Sequence, residues 1–131
     1  MEIISLKGVA KCGKTYTLNI VYQLLLQGGG TQVQGHFEDH GNGDFLDVLK
    51  FRGKLIGIAT QGDYVYKLKG YLEILFKSGC YKTICACTIK DGTQRVIALY
   101  PHLFIDKQIE SDISLQRIND GVCANRIYSM I

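Results

Sequence analysis

Eight residues near the amino terminus place the strongest constraint on how this chain folds. Residues 8–15 read G-V-A-K-C-G-K-T, which matches the pattern G-x-x-x-x-G-K-[ST] at every fixed position. A short, partly β-branched apolar segment, residues 2–6, precedes them, and residues 17–27 carry apolar side chains at helical spacing. This stretch therefore predicts a buried strand, a glycine-rich loop and an amphipathic helix in succession, which is typical of an α/β fold.

The loop has the composition of a phosphate-binding segment. Its glycines let the backbone approach phosphate oxygens, its amides point inward as an anion nest, and the following helix adds its positive end. Lys14 is expected to reach the β- and γ-phosphates, and the Thr15 hydroxyl to complete the shell of a Mg²⁺ ion. We expect a nucleotide to contact Gly8, Val9, Ala10, Lys11, Cys12, Gly13, Lys14, Thr15 and Tyr16.

With this motif in this context, the chain resembles the P-loop NTPase superfamily. The resemblance is specific over residues 8–15 and looser elsewhere, and it does not extend to a subfamily. It implies a mostly parallel sheet with helices on both faces, and it implies ATP or another NTP together with Mg²⁺. It also implies an acidic residue near the end of a neighbouring central strand.

The rest of the chain extends the α/β pattern as a single domain spanning residues 1–131. Apolar periodicity and turn residues predict a strand at 31–37, a polar loop at 38–44, a hairpin of 45–51 and 54–60, a helix at 63–77, a strand at 83–89, a helix at 93–99, and one or two helices from 111 with Gly121 as a break. The predicted fold is therefore a mostly parallel sheet covered by helices on both faces, with an antiparallel hairpin arm.

Asp63 is the candidate for the acidic residue that the resemblance implies. It follows the most apolar predicted strand, but Thr60 occupies the position directly after that strand, where the superfamily usually has the acid. Two interpretations of Asp63 stay open, and they do not exclude each other. In one, Asp63 holds Mg²⁺ and acts with Lys14 in catalysis. In the other, its carboxylate caps the next helix. Gln61 either orients a water molecule or is a solvated turn residue.

Acidic residues after the second predicted strand are candidates for contact with a phosphate acceptor. In nucleoside and nucleotide kinases of the superfamily an acid at this place often meets the acceptor, so Glu38 or Asp39 is a candidate substrate residue. The alternative is a solvated loop. His36 and His40 have no cysteine nearby in the sequence, and no zinc site is expected.

Cysteines and arginines leave further alternatives. Cys12 is either a filler position or a thiol whose pKa is lowered by the nearby lysines, whereas Cys85 and Cys87 share one face of a strand and are expected to be buried. A cationic clamp on a transferred phosphate would need an arginine, and the sequence does not choose among Arg95, Arg117 and Arg126.

The hairpin before Thr60 resembles the arm that leads into a switch segment of small GTPases. The guanine-reading signature of that class, [NT]-K-x-D, is absent, since residues 88–91 have similar letters at the wrong spacing. The sequence therefore favours ATP over GTP.

Composition excludes several other classes. The net charge is only +3, from 15 basic and 12 acidic residues that are scattered along the chain, so nucleic acid is not the expected partner. No apolar run approaches the roughly 20 residues of a membrane span, and no signal peptide is recognisable. Five cysteines, an odd number, favour reduced thiols in the cytoplasm.

The predicted function is Mg²⁺-dependent binding of a nucleoside triphosphate, with hydrolysis or phosphoryl transfer by an NTPase or a small-molecule kinase. The alternative is a nucleotide-binding regulatory switch with little or no catalysis, which would act on a protein partner. A homodimer is also compatible with so small a sheet.

Overall fold

A computed structural model describes the whole chain, residues 1–131, and contains four helices and one seven-stranded sheet. The elements in chain order are β1 (Glu2–Lys7), α1 (Lys14–Gln27), β2 (Thr31–Gln32), β3 (Glu38–Gly41), β4 (Asp44–Phe51), β5 (Lys54–Ala59), α2 (Val65–Lys77), β6 (Lys82–Cys87), α3 (Asp91–Ile97), β7 (His102–Asp106) and α4 (Ile113–Ser129).

The sheet is mixed, which corrects the expectation of a mostly parallel one. Strands β5, β6, β1 and β7 lie side by side in that order and are parallel. Strand β4 pairs antiparallel with β5 through the predicted hairpin, whose turn residues Arg52 and Gly53 both have positive φ, as a two-residue hairpin turn requires. Strands β2 and β3 then add to β4 in the antiparallel sense, so the antiparallel part is larger than one arm.

Helices cover both faces of the sheet, as predicted. On one face Leu18 of α1 and Ile127 of α4 pack with Ile4 and Leu6 of β1. On the other face Leu68 of α2 and Val96 of α3 share a second core, to which the alternate residues of the strands contribute. Strands β1, β5 and β6 are buried over most of their length, which explains their apolar runs, whereas the edge strand β7 is mostly exposed.

Several element predictions were wrong. The strand expected at 31–37 is confined to Thr31–Gln32, and the expected loop contains β3. Of the one or two helices expected from residue 111, the structure has one, α4, which continues through Gly121, an open position where a glycine costs an exposed helix only about 1 kcal/mol. Strand β7 was not predicted. Helix α2 begins after Asp63, with Tyr64 at its amino-terminal boundary and no side-chain cap. None of the four helices has the length and apolarity needed to cross a membrane.

A buried polar cluster connects α1 to the antiparallel strands. Asp47 of β4 is fully buried, and its Oδ2 accepts hydrogen bonds from the Tyr22 hydroxyl at 2.7 Å and from Gln32 Nε2 at 3.0 Å. Burial, together with the bond to Asp47, raises the pKa of Tyr22 to about 12. The protonated phenol is therefore the form that the fold requires.

Replacing Tyr22 by Phe tests this cluster. Loss of a donor to a buried carboxylate is expected to lower the free energy of unfolding by about 1–3 kcal/mol at pH 7, measured by urea denaturation. Because the folded-state pKa is raised, the contribution is present below pH 10 and is lost as the pH rises toward 12. The difference in the free energy of unfolding between wild type and Tyr22→Phe should therefore become smaller between pH 10 and pH 12. Tyr66→Phe, at an 89% exposed position, is the control. Equal effects of the two changes would contradict the assignment.

Candidate functional site

The glycine-rich loop joins the end of β1 to the start of α1 in a conformation that depends on two of its glycines. Gly13 has φ +94°, in the left-handed region that other residues rarely adopt. A Cβ atom at Gly8 would lie 2.6 Å from Cys12 Sγ and 2.9 Å from the Lys107 carbonyl oxygen. Both glycines are therefore required by the local backbone.

Lys14 lies at the centre of the site. Its side chain is only 7% exposed, and its Nζ donates hydrogen bonds to the Gly8 carbonyl at 2.7 Å and the Cys87 carbonyl at 3.1 Å. Asp63 Oδ1 lies 3.5 Å from the same nitrogen. The ammonium group thus joins the loop, the end of β6 and the segment after β5.

Asp63 reaches Lys14 even though β5 is not a neighbour of β1. Strand β6 lies between them, and residues 60–63 cross over its carboxyl end. A Cβ atom at Gly62 would overlap the Ala86 carbonyl group, so only glycine allows this crossing. The crossing places a half-exposed carboxylate beside the loop lysine.

Thr15 has a carboxylate partner that the sequence analysis missed. Asp44 Oδ1, at the start of β4, accepts hydrogen bonds from the Thr15 hydroxyl at 2.9 Å and from the Thr60 hydroxyl at 2.8 Å. Asp44 was assigned to a polar loop, but its pairing with β3 and the register of β4 on β5 carry it across the sheet to Thr60. Thr60 is therefore not itself the acid, but its hydroxyl holds the Asp44 carboxylate in position.

These oxygen atoms suit a hard cation such as Mg²⁺. No group of three or more His, Cys, Asp or Glu residues in the structure is arranged to hold a metal. Mg²⁺ commonly takes only one or two protein ligands and completes its shell with phosphate oxygens and water. The Thr15 hydroxyl and the Asp44 carboxylate fit that pattern, whereas Asp63 contacts Lys14 instead of Thr15.

A cavity of about 300 Å³ runs along the loop. Its lining combines loop residues and Asp63 with residues from the first turns of α4. Six of the nine predicted nucleotide contacts line it directly, whereas Gly8 contributes only its carbonyl bond to Lys14, and Val9 and Cys12 do not line it. The complete lining is Ala10, Lys11, Gly13, Lys14, Thr15, Tyr16, Asp63, Ile113, Gln116 and Arg117.

Helix α4 supports the loop from behind through a buried ion pair. Asp120 is fully buried, and its Oδ1 lies 2.8 Å from Lys107 Nζ, which follows β7. Gln116 Nε2 donates to Asp120 Oδ1 at 2.7 Å and to the Cys12 carbonyl at 2.9 Å, while its Oε1 accepts from the Glu110 amide. A Cβ atom at Gly13 would lie 2.6 Å from Asp120 Oδ1, so the loop backbone rests directly on this cluster.

The predicted acceptor residues lie outside the cavity. Glu38 Oε1 is 3.1 Å from His40 Nε2, and Asp39 Oδ1 accepts from the Gly41 amide within its own turn. Asp39 lines a different cavity, of about 430 Å³, between α1 and the β3–β4 turn.

Gln61 is also held by a neighbour. Its Oε1 accepts from the Tyr71 hydroxyl at 2.8 Å, and the Tyr71 ring stacks on His40 with 4.6 Å between centroids. Only the Gln61 amide nitrogen and the second lone pair of Oε1 are therefore free to orient a water molecule.

The cysteines of the site are not activated. Cys12 is buried, and burial raises the pKa of its thiol despite the nearby Lys14, which argues against the reactive reading. Cys85 and Cys87 are buried on one face of β6, as predicted. Of the three candidate arginines, only Arg117 lines the cavity.

Comparisons with known proteins do not assign a family. No protein-family model matches the chain, and no curated protein matches it. A solved structure described as the crystal structure of APE1195 aligns with 98% of this chain and 72% of its own, at 12% identity and a TM-score of 0.44.

Because Asp120 pairs with Lys107 beneath the loop, replacing Asp120 is expected to reduce the stability of the protein strongly. Asp120→Ala leaves Lys107 buried without its counter-ion, which is expected to lower the free energy of unfolding by about 3–5 kcal/mol. The matched control is Asp91→Ala, which breaks an ion pair whose side chains are more than 80% exposed and is expected to cost under about 1 kcal/mol. Similar urea midpoints for Asp120→Ala and Asp91→Ala would contradict the conclusion that the buried Lys107–Asp120 pair supports the loop.

Proposed function

We propose that the chain binds a nucleoside triphosphate with Mg²⁺ along the loop of residues 8–15 and hydrolyses it or transfers its terminal phosphoryl group. The observation that carries the proposal is the buried ammonium of Lys14. It lines a cavity together with other loop residues, next to Thr15 and at the amino terminus of α1. A cation and a helix amino terminus together favour a polyphosphate, and loop amides that point into the cavity would add to this preference.

The same contacts indicate how the phosphates would be held. Lys14 donates to two carbonyl oxygens and faces a carboxylate, so its donors already point toward oxygen acceptors. A γ-phosphate would compete with Asp63 for this ammonium group. The Thr15 hydroxyl and the Asp44 carboxylate would hold Mg²⁺, which neutralises charge on the β- and γ-phosphates. Catalysis in such a site consists of positioning and charge stabilisation.

Asp63 retains a role beside Lys14 in this proposal. Its 3.5 Å contact with the ammonium makes it the group that exchanges with phosphate, and Asp44 takes the metal-holding role that the sequence assigned to Asp63. Glu38 is paired with His40, and Asp39 accepts from the Gly41 amide within its own turn, so hydrolysis is favoured over transfer to an acceptor that they would anchor.

The first test is ligand-dependent thermal stability. Binding at 100 times the dissociation constant stabilises a protein by about 2.7 kcal/mol, which raises Tm by roughly 10 °C in a domain of this size. ATP with Mg²⁺ should raise the Tm of wild type and of the exposed control Lys69→Ala, whereas Lys14→Met should show no shift from its own ligand-free Tm. A shift retained in Lys14→Met would refute the role of the loop lysine.

The second test separates Asp44 from Asp63 as the metal-holding acid. Asp44→Asn keeps the oxygen that Thr15 and Thr60 contact but loses the charge. It should raise the Mg²⁺ concentration for half-maximal ATP-induced stabilisation by about tenfold or more. Asp39→Asn, in the neighbouring turn, should leave this midpoint unchanged. If Asp63→Asn moves the midpoint and Asp44→Asn does not, the assignment to Asp44 is wrong.

A regulatory switch is the second candidate function, and the Lys14–Asp63 ion pair favours it. Asp63 lies in the segment that leads into α2 and is half exposed, so a phosphate that displaces it would change the start of that helix. Turnover assays separate the two functions. Steady release of phosphate that depends on Lys14 supports the enzyme, and tight binding with negligible release supports the switch.

A further inference from the structure

We propose that the base of the bound nucleotide stacks on the guanidinium group of Arg117, beside Ile113, and that the site does not read the hydrogen-bonding edge of the base. The chain would therefore accept ATP and GTP with similar affinity. This inference rests on the proposed function and identifies the part of the site that holds the base.

The lining of the cavity combines side chains that suit phosphate with side chains that suit a base. In the proposed function Lys14, which lies beside Asp63, binds the terminal phosphate, and the other loop residues hold the remaining phosphates. Outside the loop, the lining includes Tyr16 of α1 and Ile113 and Arg117 of α4. We call these three side chains the second end of the cavity, and a triphosphate that fills the loop leaves them for the ribose and the base.

The second end offers a flat stacking surface. The Arg117 guanidinium carbon lies 3.7 Å from the centroid of the Tyr16 ring, so one face of the guanidinium is covered. The Arg117 side chain is 48% exposed, so part of it remains accessible to a ligand. Ile113, 66% exposed, adds apolar surface at the same end. A planar, weakly hydrated cation of this kind stacks on any aromatic base.

The groups near this platform do not distinguish adenine from guanine. Discrimination requires a fixed donor or acceptor that one base satisfies and the other leaves unpaired. Gln116 is the fixed amide at this end; both hydrogens of its Nε2 are donated within the protein, and its Oε1 already accepts from the Glu110 amide. The Tyr16 hydroxyl both donates and accepts, so it tolerates either the amino group of adenine or the carbonyl group of guanine. The sequence-based preference for ATP over GTP is therefore not expected in binding.

Calorimetric titration in the presence of Mg²⁺ tests the inference, with ATP, GTP and inorganic tripolyphosphate as ligands. Wild type should bind ATP and GTP within about threefold of each other, because stacking is tolerant of base identity. Arg117→Ala should weaken both nucleotides by about tenfold, which corresponds to 1.4 kcal/mol. It should leave tripolyphosphate within about twofold of wild type, since stacking contributes nothing to that ligand.

Two further variants test whether the planar guanidinium group, and not the charge alone, accounts for the effect of Arg117→Ala. Arg117→Lys keeps the charge and loses the plane, so it should resemble Arg117→Ala for the nucleotides. Arg126→Ala removes an exposed arginine from the same helix and should change nothing. Ligand-free Tm values for all variants show whether the 3.6 Å contact between Arg117 and Asp120 affects folding.

The outcomes separate this inference from the proposed function. A preference of more than tenfold between ATP and GTP, or equal weakening of tripolyphosphate by Arg117→Ala, would overturn the stacking inference and leave the phosphate site standing. An unchanged ATP affinity in Arg117→Ala would do the same. Failure of wild type to bind tripolyphosphate and both nucleotides would overturn the proposed function, and this inference with it.

Discussion

The ammonium group of Lys14 is the contact on which the arrangement of the site depends. A buried charge is costly unless it is paired and hydrogen-bonded, and Lys14 meets that condition with two carbonyl oxygens and the Asp63 carboxylate. These partners come from three separate segments, which the lysine therefore holds together. In the proposed function a phosphate oxygen would replace one of these oxygen partners, so the same ammonium group would stabilise both the loop and the bound anion.

A second buried charge supports the loop from the opposite side. The Lys107–Asp120 pair and Gln116 connect the segment after β7, helix α4 and the Cys12 carbonyl. Because Gly13 packs directly on Asp120, the left-handed turn of the loop is supported by α4 as well as by its own sequence. The same helix carries Arg117, which lines the cavity, so in the proposed binding mode the loop geometry and the base contact would depend on one element.

Local features of this fold could be predicted from the sequence, whereas features that depend on strand order could not. The motif, helix α1 and the Arg52-Gly53 hairpin follow from neighbouring residues, and all three are present. The position of β6 between β1 and β5 depends on long-range pairing, and so does the close approach of Gly62 to the Ala86 carbonyl group. Asp44 was missed because its partners Thr15 and Thr60 are 29 and 16 residues away. Asp120 and Gln116 carried no motif, and apolar spacing did not mark them as buried, because Leu115, Ile118 and Val122 of the same helix are exposed.

Amide hydrogen exchange measures directly whether the loop of residues 8–15 binds phosphate. If it does, ATP with Mg²⁺ slows exchange at residues 8–16, tripolyphosphate does the same, and adenosine does not. We also expect altered exchange at residues 61–64, because phosphate displaces Asp63 from Lys14. Unchanged exchange at residues 8–16 with saturating ATP and tripolyphosphate would contradict the assignment of the loop as a phosphate site.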